Sequence, residues 1–280
     1  MALKNKHALG QNWLNNRAIL NEIAELAVRN LDGDESAGEI AENRGGEVAG
    51  AKDIVSGTDA RLCVEIGPGL GYLTSSLLKR FEKVIAVEFD TRLAENLPGS
   101  FPGKNLEVVN ADILQFDFGN VGQPYVVAGN IPYYITSPII ERVLTATVLP
   151  ERVVLLMQKE VAERILDKRE TMLSLFVKNY AEVMAGPVVS KEEFVPVPKV
   201  DSQVIVMVPR EAVVSDEVLE LARKGFVAPR KKLVSNLAQV YGREKVELAF
   251  SECGIDNNVR PGDLGLRDWA KLFEALRKNA

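Results

Sequence analysis

Two short stretches hold residues whose types and spacing suit chemistry on a nucleoside. The first is Glu65-Ile66-Gly67-Pro68-Gly69-Leu70-Gly71, where an apolar run gives way to three alternating glycines. Glycine at a strand-to-helix turn lets a ligand approach the backbone closely, which makes Gly67 and Gly69 candidate cofactor contacts. Pro68 removes an amide donor from the turn and suits a pyrophosphate poorly. The spacing also departs from the dinucleotide pattern G-x-G-x-x-G. Glu88 lies 21 residues after Gly67, at the end of a second apolar run, where an acid can accept hydrogen bonds from ribose hydroxyls. Asp112, after a third run, can accept one from an adenine amino group. Taken singly, these residues also read as a plain connection, a solvated strand end and a helix cap. Taken together, they favour a nucleoside-containing cofactor.

The second stretch is Asn130-Ile131-Pro132-Tyr133, just after a fourth apolar run. Asn130 offers a carbonyl acceptor and an amide donor, Pro132 stiffens the loop, and Tyr133 offers a flat face to a base. The exocyclic amine of a nucleobase is a poor nucleophile, because its lone pair is delocalised into the ring. Acceptors that hold its hydrogens favour a pyramidal nitrogen aimed at a methyl donor, and alignment supplies most of the rate. A base treated in this way must leave its stack, so an aromatic platform is expected. The plain alternative is a loop turn with a packed tyrosine.

These residues need a frame that brings strand ends to one edge. Strands are predicted over 61–66, 83–88, 105–110, 125–129, 152–158 and 200–208. Helices are predicted over 71–80, 91–97 and 137–145, and over roughly 159–183. Apolar residues at helical spacing (Leu14, Ile19, Ile23, Leu26, Ala27) predict a short entry segment and then a helix within 8–29. Alternating buried-type strands and helices imply a parallel, doubly wound α/β sheet, whose ligands bind at the carboxyl edge of the strands. After Pro209 the strands stop. Residues 215–280 read as short helices broken by Pro229, Gly242, Gly254, Pro261 and Gly265, with Trp269, Leu272 and Phe273 at their core. The expected division is a catalytic domain over 1–209 and a small helical domain over 210–280. Met157 and Met172 are expected in the core.

The net charge of −5 argues at first against a nucleic-acid partner. However, residues 32–59 hold eight acids and two bases, net −6, which leaves the rest of the chain at +1. This stretch is rich in Gly, Ala and acids, has no aromatic residue, and is expected to be a flexible insertion. Arg223, Lys224, Arg230, Lys231 and Lys232 place five bases within ten residues, a candidate phosphate-binding patch whose alternative is a solvated helix face. Lys4, Lys6 and His7 can add charge near the site. His7, the only histidine, has no partner ligands in the pattern, and no metal is expected. Cys63 and Cys253 have no ligand-type spacing, which points to a reducing cytoplasm. No apolar run approaches a membrane span, and the N-terminus has no hydrophobic signal core.

The sequence resembles the KsgA-type small-subunit rRNA adenine N6,N6-dimethyltransferases over nearly its whole length. The resemblance rests on Leu9-Gly10-Gln11-Asn12-Trp13-Leu14, the Glu65–Gly71 turn, Glu88, Asn110-Ala111-Asp112 and Asn130–Tyr133. It continues through Gln158-Lys159-Glu160-Val161, the run from Phe194 to Ser202, the run from Phe226 to Leu233, and Arg260-Pro261. It implies a class I methyltransferase fold with S-adenosylmethionine as cofactor, contacted by Asn12, Leu14, Gly67, Glu88, Asp112 and Asn130. It also implies that Tyr133 and Phe194 sandwich the target adenine. The substrate implied is a pair of adjacent adenines in a hairpin near the 3′ end of 16S rRNA, within a pre-ribosomal particle; the enzyme is expected to be a monomer. The sequence departs from the family at Trp13, where phenylalanine is usual, in the 32–59 insertion, and at residues 167–171, shorter than the usual glycine-containing loop. Competing readings are a large-subunit rRNA adenine methylase of the macrolide-resistance type, an NAD-dependent oxidoreductase, and a non-catalytic assembly or transcription factor. The basic region and long helical tail favour the small-subunit reading over the first. The glycine spacing and Asn130–Tyr133 speak against the other two.

Overall fold

A computed structural model describes residues 12–28, 61–121 and 124–278. Lys4, Lys6, His7 and the acidic stretch 32–59 lie outside the described residues. The chain begins with β1 (Trp13–Leu14) and α1 (Arg17–Val28). A regular alternation follows: β2 (Leu62–Ile66), α2 (Tyr72–Leu77), β3 (Lys83–Glu88), α3 (Thr91–Asn96), β4 (Leu106–Asn110), β5 (Tyr125–Asn130), α4 (Thr136–Leu144) and β6 (Arg152–Gln158). Next come α5 (Lys159–Leu166), α6 (Met172–Tyr180), β7 (Ala181–Val189), β8 (Phe194–Val195) and β9 (Ser202–Pro209). The chain ends in α7 (Asp216–Gly225), α8 (Leu233–Tyr241), α9 (Arg243–Cys253) and α10 (Leu266–Lys278).

Seven strands form one sheet in the order β4-β3-β2-β5-β6-β9-β7. The first five are parallel. Their side chains alternate between two buried layers, which is why their sequences read as unbroken apolar runs. Val64, Ile85, Val127 and Leu155 face the layer built with α4, α5 and α6, through Ile139, Ile165 and Val177. Cys63, Val84, Val126 and Val154 face the layer built with α1 and α2, through Ile23 and Leu77. Met157 is buried in the first layer and Met172 packs at its margin.

The expectation of an all-parallel sheet is corrected at one edge. Strand β9 runs antiparallel to β6, and β7 antiparallel to β9. Strand β7 also corrects the helix expected to run to residue 183, because α6 ends at Tyr180. The strand hides from pattern reading for physical reasons. It is a half-exposed edge strand, its register breaks between Ala185 and Val188, and the break holds Gly186-Pro187. Proline is tolerated on an edge strand because the missing amide need not pair. The two-residue strands β1 and β8, antiparallel through Trp13–Val195 and Leu14–Phe194, are too short for any periodicity to show.

Helices α7–α10 enclose a third apolar cluster around Trp269, Leu272, Phe250 and Leu237, to which α6 contributes Leu175. Phe273 packs at its margin. The short loop at 167–171 docks on this helical part: the Glu170 amide donates to the Gly262 carbonyl at 2.8 Å. A side chain at 262 would meet the Glu170 carbonyl oxygen at 2.6 Å, so only glycine permits this approach. Among the described residues, no helix is long and apolar enough to cross a membrane.

Candidate active site

A cavity of about 240 Å³ opens at the carboxyl edge of β2, β3 and β5, lined by the entry segment, the glycine turn, Glu88, Asp112 and the Asn130–Tyr133 loop. Asn12, Leu14, Gly67, Gly69, Glu88, Asp112, Asn130 and Tyr133 all border it. The sheet brings Gly67, Gly69, Glu88, Asp112, Asn130 and Tyr133 together because parallel strands present all their carboxyl ends to one side, and the entry segment adds Asn12 and Leu14.

At the glycine turn, Gly67 and Gly69 have φ of 64° and 57°, the left-handed region that favours glycine. The close approach at Gly69 is made by the chain itself. A side chain there would meet the Trp13 indole nitrogen at 3.1 Å, so the aromatic residue of β1 covers the turn. Glu88 is buried. One carboxylate oxygen accepts the Gly69 amide at 3.1 Å and the other the Asp90 amide at 2.8 Å. Burial pushes the Glu88 pKa above the usual carboxylate range; the amides of Asp90, Gly69 and Phe89 oppose that push, and the charge of Asp90 adds to it. A carboxylate has about four acceptor positions, so these amides leave room for a ligand hydroxyl. One oxygen of Asp112 accepts the Leu114 amide at 3.0 Å, which caps its turn, and Asp112 borders the cavity.

Asn130 ends β5. Its amide nitrogen donates to the Asn12 carbonyl at 2.9 Å, joining the entry segment to the catalytic loop. This uses one of the two N–H donors and leaves the amide oxygen as an acceptor. Pro132 leads into a single 3₁₀ turn over Tyr133–Ile135, and α4 starts at Thr136. The Tyr133 hydroxyl lies 2.7 Å from the Ser202 hydroxyl. Burial, partly opposed by that bond, raises the Tyr133 pKa.

Phe194 lies in β8. It is fully buried opposite Leu14 in the β1–β8 pair, within the apolar layer under α1 and α2, and is not among the residues lining the cavity. An apolar side chain in a buried strand pair gains more from its neighbours than from a half-wet cavity wall. Other aromatic residues occupy the cavity: Tyr72, Phe89 and Tyr134 line it, the last two 62% and 63% exposed.

Glu65, the first residue of the glycine motif, ends in the same cavity. It is 1% exposed, and its Oε2 has no hydrogen-bond partner among the described residues. Burial pushes its pKa up to about 8; the charge of Glu88 acts in the same direction and Thr74 against it. The signal was present in the sequence: Glu65 is an acid inside an otherwise apolar run, Leu62-Cys63-Val64-Glu65-Ile66.

The basic residues divide into two kinds. Arg223 pairs with Glu220 at 3.1 Å, and Lys224 donates to the Tyr241 hydroxyl at 3.0 Å, with its ammonium 5.2 Å from the ring centre. Lys232 donates to Asn258 at 2.7 Å. Arg230 and Lys231 are exposed on the loop before α8 and have no side-chain partner among the described residues. A second cleft nearby is lined by Lys168, Arg169, Asn258, Arg260 and Asp263.

A sheet of this order, with such a cavity at its parallel carboxyl edge beside the glycine turn and the Asn130–Tyr133 loop, defines a class I methyltransferase of Rossmann-like fold. The chain belongs to the ribosomal RNA adenine dimethylase family, whose model matches residues 2–278. It is 35% identical over 283 residues to ribosomal RNA small subunit methyltransferase A of Dehalococcoides mccartyi (strain CBDB1), covering 96% of this chain and 88% of that protein. The corresponding protein of Mycoplasma capricolum is 30% identical, with 98% of each chain covered. Among solved structures, 23S rRNA methyltransferase ErmE aligns with a TM-score of 0.68 at 28% identity, covering 95% of this chain and all of that one. A dimethyladenosine transferase from Plasmodium falciparum aligns with a TM-score of 0.69 at 25% identity, covering 95% and 98%.

Proposed function

We propose that this protein dimethylates N6 of two adjacent adenines near the 3′ end of small-subunit rRNA, in a pre-ribosomal particle in the cytoplasm, with S-adenosylmethionine as donor. The observation that carries the reading is the meeting of Asn130, Tyr133, Glu88 and the glycine turn around one cavity. The similarity to small-subunit methyltransferases along almost the whole chain supports this substrate over a large-subunit one. The cavity's chemistry suits the donor: Glu88 keeps an acceptor position for a ribose hydroxyl, and the glycine turn lies beside it. When bound, the donor supplies an electrophilic methyl group on a sulfonium. Asn130 holds the adenine amine by its hydrogens, with the nitrogen lone pair turned to the methyl, and Tyr133 stacks on the extruded base. Gly67, Gly69, Asn12, Leu14 and Asp112 complete the cofactor wall. Residues 1–209 form the catalytic domain and 210–280 an RNA-binding domain, in a protein that acts as a monomer. In a deletion strain, primer extension on small-subunit rRNA should read through two adenines that block it in the parent strain. Unchanged stops would remove the proposed substrate.

Two further outcomes are expected of this reading. Glu88→Ala should weaken cofactor binding by about ten- to a hundredfold, the loss of a charged acceptor worth roughly 1.5–3 kcal/mol. Calorimetry on the folded variant checks this, and unchanged affinity would remove Glu88 from the cofactor site. Replacing Arg230, Lys231 and Lys232 together by alanine should weaken particle binding and leave cofactor affinity intact. Its salt dependence should flatten by up to about 0.9 in log–log slope per lost phosphate contact. An unchanged slope would return these residues to a solvated surface. Because Lys232 is already engaged with Asn258, Arg230 and Lys231 should carry most of the change.

A further inference from the structure

We infer that Ser202 is a positioning residue, which tethers the Tyr133 ring as the platform for the target base; this rests on the proposed role of Tyr133. Tyr133 sits in a single 3₁₀ turn at the cavity wall, held at its backbone end by that turn and by the Thr136 hydroxyl, which donates to its carbonyl at 3.2 Å. A phenol held only at Cα can still turn about χ1 and χ2. The far end of this one is held as well: its hydroxyl lies 2.7 Å from the Ser202 hydroxyl, which is wholly buried.

Ser202 is itself rigidly placed. It opens β9, paired with Gln158 on one side and Val189 on the other, so two neighbouring strands fix its backbone. Its neighbour Asp201 accepts the Lys159 amide through its carbonyl and the Lys191 amide through its side chain, each at 3.0 Å. The antiparallel edge of the sheet thus reaches the Asn130–Tyr133 loop through the Ser202–Tyr133 bond. A ring clamped at both ends presents one stacking plane to an incoming base, so less freedom is lost on capture.

The test is a double-mutant cycle on the full chain with unmethylated small-subunit particles. Ser202→Ala should lower kcat/KM for the particle by about three- to tenfold, the range expected for one net hydrogen bond. The loss should fall mainly on KM for the particle, with cofactor affinity unchanged. Tyr133→Phe removes the same bond from the other end and should give a similar loss. The two changes together should cost no more than either alone, because both delete one interaction. If Ser202→Ala is silent, or if its effect multiplies with that of Tyr133→Phe, the tether is overturned and Ser202 is only part of the sheet. Tyr133→Ala separates this failure from that of the underlying reading: unimpaired transfer in that variant would remove Tyr133 from the site altogether.

Discussion

An Asn130→Ala protein should fold, bind its cofactor within a few fold of normal, and transfer methyl groups about a hundredfold more slowly in a single turnover. The amide nitrogen of Asn130 donates to the Asn12 carbonyl, and its oxygen is the acceptor left for the adenine amine. Without that acceptor the amine keeps its lone pair in the ring, and a small loss of alignment costs orders of magnitude. The ratio of wild-type to variant rates should not change with pH, because neither Asn130 nor the amine titrates. Asn130→Asp separates the two jobs of the amide. It keeps an acceptor and loses the donor to Asn12, so it should retain more rate than the alanine variant and hold the entry segment less firmly. Wild-type single-turnover rates from Asn130→Ala would make this loop structural.

Glu65→Gln should change how stability depends on pH. The folded carboxyl titrates near 8 against an ordinary value of 4.5, because burial penalises its charge. Between those values the native protein holds a proton that the unfolded chain has released. Its stabilising contribution is therefore full below about pH 4.5, falls as pH rises, and is gone above about 8. At about 1.4 kcal/mol per pK unit this amounts to several kcal/mol. The uncharged glutamine removes that dependence, so the variant should unfold at a higher temperature than wild type at alkaline pH. Glu88, shifted in the same direction, leaves a smaller slope behind. Thermal unfolding of both proteins from mildly acidic to alkaline pH is the measurement. An unchanged wild-type slope in Glu65→Gln would mean that the buried carboxyl does not titrate in this range.

The parts of the molecule that could be read from the chain are those where one local rule dominates. Strands β2, β3, β5 and β6 are buried on both faces, so their apolar runs were visible with nearly correct ends. The glycine turn and the Asn130–Tyr133 loop follow such runs, and parallel pairing alone puts them at one edge. What could not be read depends on contacts distant in sequence. Strand β7 exists because β9 offers it an edge, and its Gly186-Pro187 break hides it. Phe194 has an aromatic side chain suited to a base, but the pairing of β8 with β1 buries it beside Leu14. Covering of the glycine turn by Trp13 and the grip of Ser202 on Tyr133 both join segments far apart in the chain, which no local pattern encodes.

The central claim is tested most directly by methyl transfer in vitro. The purified protein, unmethylated small-subunit particles and S-adenosylmethionine carrying a labelled methyl group are combined. The rRNA is then digested and its nucleosides analysed by mass, with the modified positions mapped. The account predicts N6,N6-dimethyladenosine at two adjacent adenines near the 3′ end of small-subunit rRNA, and none with the Asn130→Ala protein on the same time scale. Label only at other positions of the small-subunit rRNA, or no transfer from a protein that binds the donor, would contradict it.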